Sequence, residues 1–160
     1  MRSEPDGMIA RVTEPPELLV GRPDADHLKI RVLGRMHAGS SDYWDGNWLL
    51  SPISAALGCF TAQIDAGLRV DELQTFRRRL EQINHQLQGE ATLTSIEHWI
   101  SLSVACLPNG SLCVTGQLDD DLGSGNVLSF TINDLDQTDL PTMLSTLSII
   151  EQTYPFLGTP

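Results

Sequence analysis

The chain has 160 residues, the usual size of one compact domain, and 41% of them are hydrophobic. Ten Lys and Arg against 21 Asp and Glu give a net charge of −11, which argues against nucleic-acid binding because phosphate recognition needs clustered positive charge. No run approaches the ~20 apolar residues of a transmembrane helix, and no signal peptide is recognisable. We therefore expect no nucleic-acid and no membrane partner.

The acidic charge balance has two interpretations. An acidic surface attracts a basic protein and speeds the association of the two molecules. Many soluble bacterial proteins are also acidic simply because net charge keeps them in solution. Composition leaves both interpretations open, so a basic protein partner is a hypothesis at this point.

Residues capable of catalysis or metal binding are scattered along the chain. The cysteines are odd in number and sit in apolar runs, which favours reduced thiols in a cytoplasmic protein: Cys59, Cys106 and Cys113. No histidine has a partner at metal-ligand spacing: His27, His37, His85 and His98. We expect no cofactor, no metal and no catalytic residue, and hence no enzyme. A site assembled from scattered Asp, Glu and His residues is the alternative.

The N-terminal 26 residues are rich in Pro, Glu and Asp and predict an extended arm, with an edge strand at Glu17–Val20. A single α+β domain is expected over residues 27–160. It opens with apolar residues alternating over residues 28–34, the pattern of a strand with one buried face. A polar loop follows over residues 37–47.

The middle of the chain changes period from two to about 3.6. Residues 53–69 alternate and predict a long strand or a bent pair, with glycines at Gly58 and Gly67. The following apolar residues fall three or four apart and predict an amphipathic helix with Asp71 as N-cap and Gly89 as C-terminal cap. Its expected buried stripe is Val70, Leu73, Phe76, Leu80, Ile83 and Leu87.

The C-terminal third predicts a hairpin, a further strand and a helix. Pro108-Asn109-Gly110 is a turn signal between two alternating runs, so residues 99–118 form the hairpin. A second turn covers Asp119–Gly125, and a strand follows around Phe130. The last helix begins near Thr138–Pro141 and ends before Pro155, with its buried face formed by Leu140, Met143, Leu144, Leu147 and Ile150.

The order is therefore strands, helix, strands, helix. Strands joined by short turns are antiparallel, and amphipathic helices bury their apolar stripes against a sheet. The predicted fold class is α+β, an antiparallel sheet with two amphipathic helices packed on one face.

One constellation is distinctive: residues 42–48 hold three aromatic residues, two carboxylates and an amide in seven positions. Aromatic anchors ringed by acidic groups are typical of a binding hot spot for a basic partner. Alternatively, the tryptophans close the end of the core while Asp45 and Asn47 close a turn by side-chain hydrogen bonds. We expect Trp48 to be buried, Trp44 to lie at the rim and the carboxylates to face solvent. The candidate contact residues are Asp42, Tyr43, Trp44 and Asp45.

The run Asp119, Asp120 and Asp121 is the second candidate for partner contact. It lacks the fixed acidic positions and the distal Glu of an EF-hand loop. Solvated charges in a turn are the alternative interpretation.

These motifs, in their order, resemble the WapI-like bacterial immunity proteins. The resemblance covers about residues 18 to 158 and rests on residues 42–49 with the preceding strand, then on the segments 58–60, 68–73, 89–91, 125–130 and 136–141. Members of that family are taken to neutralise the nuclease toxin domain of a wall-associated polymorphic toxin made by the same cell. The resemblance implies a non-catalytic protein that binds and occludes a basic toxin domain, a nuclease in the leading hypothesis. An interaction domain or oligomeric scaffold, such as a homodimer without a toxin, is the alternative.

Overall fold

The computed structural model describes residues 14–123 and 125–160, which contain eleven strands and two α-helices. Residues 1–13, the first half of the expected proline-rich arm, lie outside the described residues. In chain order the elements are β1 (Glu17–Gly21), β2 (His27–Arg31), β3 (Gly34–Arg35), β4 (Trp48–Leu50), β5 (Ile53–Leu57), β6 (Phe60–Ile64), β7 (Gly67–Arg69), α1 (Val70–Gln86), β8 (Gly89–Thr94), β9 (Ile100–Cys106), β10 (Ser111–Asp119), β11 (Val127–Asp136) and α2 (Leu140–Thr153).

All strand pairs are antiparallel, and the α+β class is confirmed. The strands are distributed over three sheets, with the orders β1-β2-β5-β6, β11-β10-β9-β8 and β3-β4-β7. The division between the first and third sheets occurs beside Pro52, which separates β4 from β5 and has no N–H to continue a ladder. The segment of residues 31–33 changes its partner strand beside Pro52: Arg31 N donates to Pro52 O, whereas Leu33 N donates to Leu50 O.

The predicted turns in the sheets are present. The two-residue loop Gly58-Cys59 joins β5 to β6, and Gly58 has φ +61°, so residues 53–64 are a bent pair. The Pro108-Asn109-Gly110 turn joins β9 to β10 as expected, with Leu112 opposite Cys106. The strand expected at Glu17–Val20 is also present as β1, at the edge of the first sheet.

Both helices bury most of the predicted stripe; the exceptions are Leu87 of α1, which is exposed, and Leu144 of α2, which is half-buried. The caps of α1 also differ from expectation. The N-cap is Arg69 and not Asp71, because the Glu72 carboxylate accepts the Arg69 N–H at 3.0 Å and fixes the start of the helix. The C-cap is Leu87 in the left-handed conformation and not Gly89, so the Leu87 side chain is exposed. Helix α1 packs against β8 and α2, and α2 packs against β1.

One hydrophobic core connects the helices and the sheets. Phe76 and Leu80 of α1 are fully buried in it, as are Leu18 of β1 and Leu102 of β9 to within a per cent. Neither α1 nor α2, the helices of the described residues, is long and apolar enough to cross a membrane. Polar and aromatic residues lie together outside this core, in the loops at the start of α1.

Candidate partner-binding surface

The loop of residues 42–47 is shaped by the side chain of Asp42. This loop precedes β4, and its last three residues form a 3-10 turn, Asp45–Asn47. Asp42 Oδ1 accepts the backbone N–H groups of Trp44 at 2.8 Å and Asp45 at 2.9 Å, and the Asp42 carbonyl accepts the Gly46 N–H. The side chain of Asp42 therefore closes the turn, whereas the sequence predicted Asp45 and Asn47 for this role. Of these two, Asn47 does form a side-chain hydrogen bond within the loop, to the Tyr43 carbonyl.

Arg69 lies directly beneath this loop with 2% of its surface exposed. Its guanidinium donates to the carbonyl oxygens of Tyr43 and Trp44, each at 2.9 Å, and to Asp71 Oδ1 at 3.0 Å. The planar fork of an arginine suits this divergent set of acceptors. The loop is thus held to the first turn of α1 by a buried, fully hydrogen-bonded cation.

Three aromatic rings surround the same guanidinium. The ring centroids of Tyr43, Trp44 and Trp48 lie 5.2, 5.1 and 5.2 Å from the Arg69 Cζ atom, within the range of cation–π attraction. The arginine cage, which we define as Arg69 with these three rings, explains why aromatic residues cluster here. Trp48 is half-buried, less than predicted, because its ring packs on the guanidinium near the surface.

The C-terminal tail holds the loop from the other side. Asn47 is completely buried, and its Nδ2 donates to the carbonyls of Tyr43 and Leu157, each at 2.8 Å, while its Oδ1 accepts the Leu157 N–H at 2.9 Å. Arg35 donates to the carbonyls of Gly46 and Pro155, both at 2.6 Å. The loop is consequently fixed between α1 and the tail.

Trp44 is 57% exposed although its backbone and one ring face are held in place. Asp42 and Asp45 beside it are exposed, and Tyr43 is half-buried. Asp71 offers a further carboxylate, with 41% of its side chain exposed. The predicted arrangement of a rim tryptophan with solvent-facing carboxylates is what the structure shows.

Glu72 connects this loop to the neighbouring one, residues 95–99. Its Oε2 accepts the Arg69 N–H at 3.0 Å, and its Oε1 accepts the Ile96 N–H at 2.9 Å. Burial raises the pKa of the Glu72 carboxyl, an effect that these two backbone hydrogen bonds oppose. Ile96 is exposed and is followed by Glu97, so the second loop repeats the combination of an apolar group and a carboxylate.

The second candidate run follows β10, next to the same loop. The Asp119 N–H donates to the Trp99 carbonyl at 3.1 Å. The Asp120 carboxylate accepts from Asn126 N at 2.7 Å and from Asn126 Nδ2 at 3.0 Å, and these bonds, the side-chain one first, lower the Asp120 pKa. Asp120 therefore closes the turn, whereas Asp121 is exposed.

The two candidate runs, far apart in sequence, are thus connected through residues 95–99. We define the α1 N-terminal surface as the exposed residues Asp42, Trp44, Asp45 and Ile96 together with the half-buried Asp71 and Glu97. A comparison with protein-family models matches residues 19–155 to the immunity protein WapI-like family. The chain belongs to this family. A search of curated proteins found no match.

Sequence reasoning missed two parts of this WapI-like immunity protein. Arg69 was read as the end of a strand, and the last helix was expected to end before Pro155, with no role given to Leu157. A signal for Arg69 existed, since it is the residue before a helix whose N3 position holds Glu72, a capping-box spacing. The contact between Asn47 and Leu157 joins residues 110 positions apart and leaves no local signal.

Within residues 14–123 and 125–160, no three His, Cys, Asp or Glu side chains are placed to hold a metal ion. Cys106 is buried, and Cys59 and Cys113 are exposed free thiols. A groove of 460 Å³ lies on the sheet of β9, β10 and β11, and its lining is of hydroxyl, amide, glycine and phenylalanine residues.

Proposed function

We propose that this chain is a non-catalytic immunity protein that binds a basic toxin domain, a nuclease, and occludes it with the α1 N-terminal surface. Membership of the WapI-like immunity family supports the immunity role in general. The arginine cage is the observation that favours the α1 N-terminal surface as the binding surface. Its cation, Arg69, is buried and paired inside the molecule, and the exposed residues that flank Trp44 include the carboxylates Asp42 and Asp45.

The mechanism follows from charge and shape. A nuclease binds phosphate with cationic residues, and carboxylates compete for the same cationic residues without being cleaved. Asp45 and Asp42 are the groups that would meet such cations, and Asp119 to Asp121 would extend the acidic edge beyond residues 95–99. Trp44 would supply the apolar anchor that slows dissociation.

Rigidity favours this loop as an interface. Its backbone carbonyls at Tyr43, Trp44 and Gly46 are already bonded to Arg69, Asn47 and Arg35, so little chain entropy is lost when a partner binds. The Glu72 carboxyl, the one with a raised pKa, is occupied by two backbone N–H groups. Its shift therefore reflects packing at the helix start and gives no support to a catalytic acid.

The proposal is tested with the tagged chain as bait in its own cells. The protein that co-purifies is identified and produced alone, and its binding is measured at about 50 and 300 mM NaCl. We expect a basic partner whose association rate falls with salt, and falls further when Asp42 and Asp45 are both changed to Asn. Asp42→Asn keeps the oxygen that closes the turn, so it removes charge without removing the cap.

The control is Asp134→Asn, which removes one carboxylate from an exposed position on β11 and is compared with Asp42→Asn alone, which also removes one. Asn tolerates the positive φ of +64° at this residue, so the fold is retained. A partner that is acidic or neutral, or an association rate that responds equally to Asp134→Asn and to the loop substitutions, would contradict the proposal.

A further inference from the structure

The strand β6 is an outer strand whose exposed backbone groups have no partner among the described residues. It lies at the end of the β1-β2-β5-β6 sheet and pairs only with β5. In a two-residue hairpin the flanking pair, Leu57 and Phe60, is hydrogen-bonded, and bonded pairs then alternate along the ladder. The N–H and C=O groups of Thr61 and Gln63 therefore point away from β5.

This edge differs from every other sheet edge of the described chain in carrying no charge. Six strands end the three sheets, and five of them contain at least one charged residue: Glu17 in β1, Arg35 in β3, Arg69 in β7, Glu90 in β8 and Asp134 in β11. Charged residues on outer strands block pairing with another chain. The sequence of β6, Phe-Thr-Ala-Gln-Ile, has neither a charge nor a proline.

Apolar surface accompanies the open edge. Phe60 is 59% exposed, and Val127 is exposed to a similar degree across a groove of 420 Å³. One wall of the groove is β6 itself, and the other includes Leu118, Val127 and Leu128. Exposed apolar groups beside unpaired backbone are what a docking strand covers.

We propose that β6 pairs with β6 of a second copy, which makes the chain a homodimer with one continuous eight-stranded sheet. A two-fold axis at Ala62 places Thr61 opposite Gln63 of the second copy, so that the outward N–H and C=O groups of both residues pair. Ala62 then faces its own copy at the close, non-hydrogen-bonded position, where the smallest side chain of the strand fits. Phe60 comes opposite Ile64 of the second copy and covers apolar surface beside the groove.

Charge favours a second copy of this chain over a basic protein as the partner that pairs with the open edge of β6. A chain of net charge −11 repels its copy over most of its surface, but β6 itself carries no charge. Asp65, the residue after β6, comes opposite Cys59 of the second copy in this register and not opposite a carboxylate. A basic protein gains nothing from an edge without carboxylates. The dimer is independent of the proposed toxin binding, which uses other residues.

The test is sedimentation of the whole chain from about 1 to 200 µM, with Gln63→Pro and Gln63→Thr. Proline removes an N–H that the monomer does not use, and outer strands accept proline at such positions. Because symmetry removes the bond twice, Gln63→Pro should raise the dissociation constant at least about tenfold, while Gln63→Thr should leave it nearly unchanged. Higher salt should strengthen the dimer by screening the repulsion between copies.

Amide hydrogen exchange provides a second readout that needs no variant. The Thr61 and Gln63 amides should exchange quickly in dilute protein and be protected at high concentration. A chain that stays monomeric over the whole range would overturn the proposal. So would a dimer that Gln63→Pro leaves intact, because its interface would lie elsewhere.

Discussion

The guanidinium of Arg69 and the indole of Trp44 are 5.1 Å apart, and Arg69 also donates a hydrogen bond to the Trp44 carbonyl. One residue is almost completely buried and the other is more than half exposed. The buried arginine therefore fixes an exposed tryptophan from below. This relationship reconciles the two interpretations of the aromatic loop, because the cluster is a structural plug on its inner side and a presented anchor on its outer side.

Arg69→Lys should lower the free energy of unfolding by about 3 kcal/mol, since a lysine cannot reach the Tyr43 and Trp44 carbonyls together and leaves buried acceptors without a donor. Urea unfolding measures the change. Arg78→Lys on the exposed face of α1 is the control and should stay within about 0.5 kcal/mol of the parent chain. Equal stability of the two variants would mean that the cage contributes little.

The sequence predicted the interactions between residues close together in the chain and missed those between distant residues. The Pro108-Asn109-Gly110 hairpin and the stripe of α1 are encoded within a few residues, and both were predicted correctly except for Leu87, which caps the helix and is exposed. The aromatic loop was recognised as a unit, but its cation comes from Arg69 and its second anchor from Leu157. Such pairings are decided by three-dimensional packing, so the pattern of the loop alone could not reveal them.

The division into three sheets had a similar cause. Alternation of apolar residues predicts which face of a strand is buried but does not identify the neighbouring strand. The segment of residues 28–34 was read as one strand, yet this part of the chain pairs with β5 through His27–Ile30 and with β4 through Gly34–Arg35. Pro52 marks the change of partner, and its position opposite that segment is visible only in the fold.

Glu72→Gln should change the pH dependence of stability. The folded pKa of Glu72 lies above its ordinary value of 4.5, so the native state binds the proton more tightly than the unfolded chain. The contribution of Glu72 to the free energy of unfolding is therefore fully present below the ordinary pKa and is lost as pH rises through the folded pKa. The stability of the parent chain relative to Glu72→Gln should fall as pH rises above the ordinary value of 4.5.

Asp120→Asn is the control for this titration, because the pKa of Asp120 is shifted in the opposite direction from that of Glu72. The folded pKa of Asp120 lies below its ordinary value of 3.8, so its contribution is present above that value and is lost as pH falls through the folded pKa. The difference in unfolding free energy between the parent chain and Asp120→Asn should therefore stay almost constant over the pH range in which the difference between the parent chain and Glu72→Gln falls. A Glu72 difference that grows with pH would contradict the assigned direction.

Trp44→Ala should separate stability from binding. The ring is mostly exposed, so its removal should cost about 1 kcal/mol from the cation–π contact, well below the 3–5 kcal/mol typical of a buried aromatic residue. Binding of the captured partner should weaken by about 2 kcal/mol or more. Phe60→Ala, at an equally exposed aromatic residue on β6, is the control and should leave partner binding unchanged. A strongly destabilised Trp44→Ala that binds normally would remove the loop from the interface.

The most direct measurement is a titration of the captured toxin domain's nuclease activity with this chain, followed over time. Occlusion by a non-catalytic protein predicts that activity falls in proportion to added chain and reaches its minimum at one equivalent, without further change during incubation. Trp44→Ala should need a larger excess to reach the same minimum. Complete loss of activity with a small fraction of an equivalent would indicate catalysis, and full activity in the presence of excess chain would contradict the immunity function.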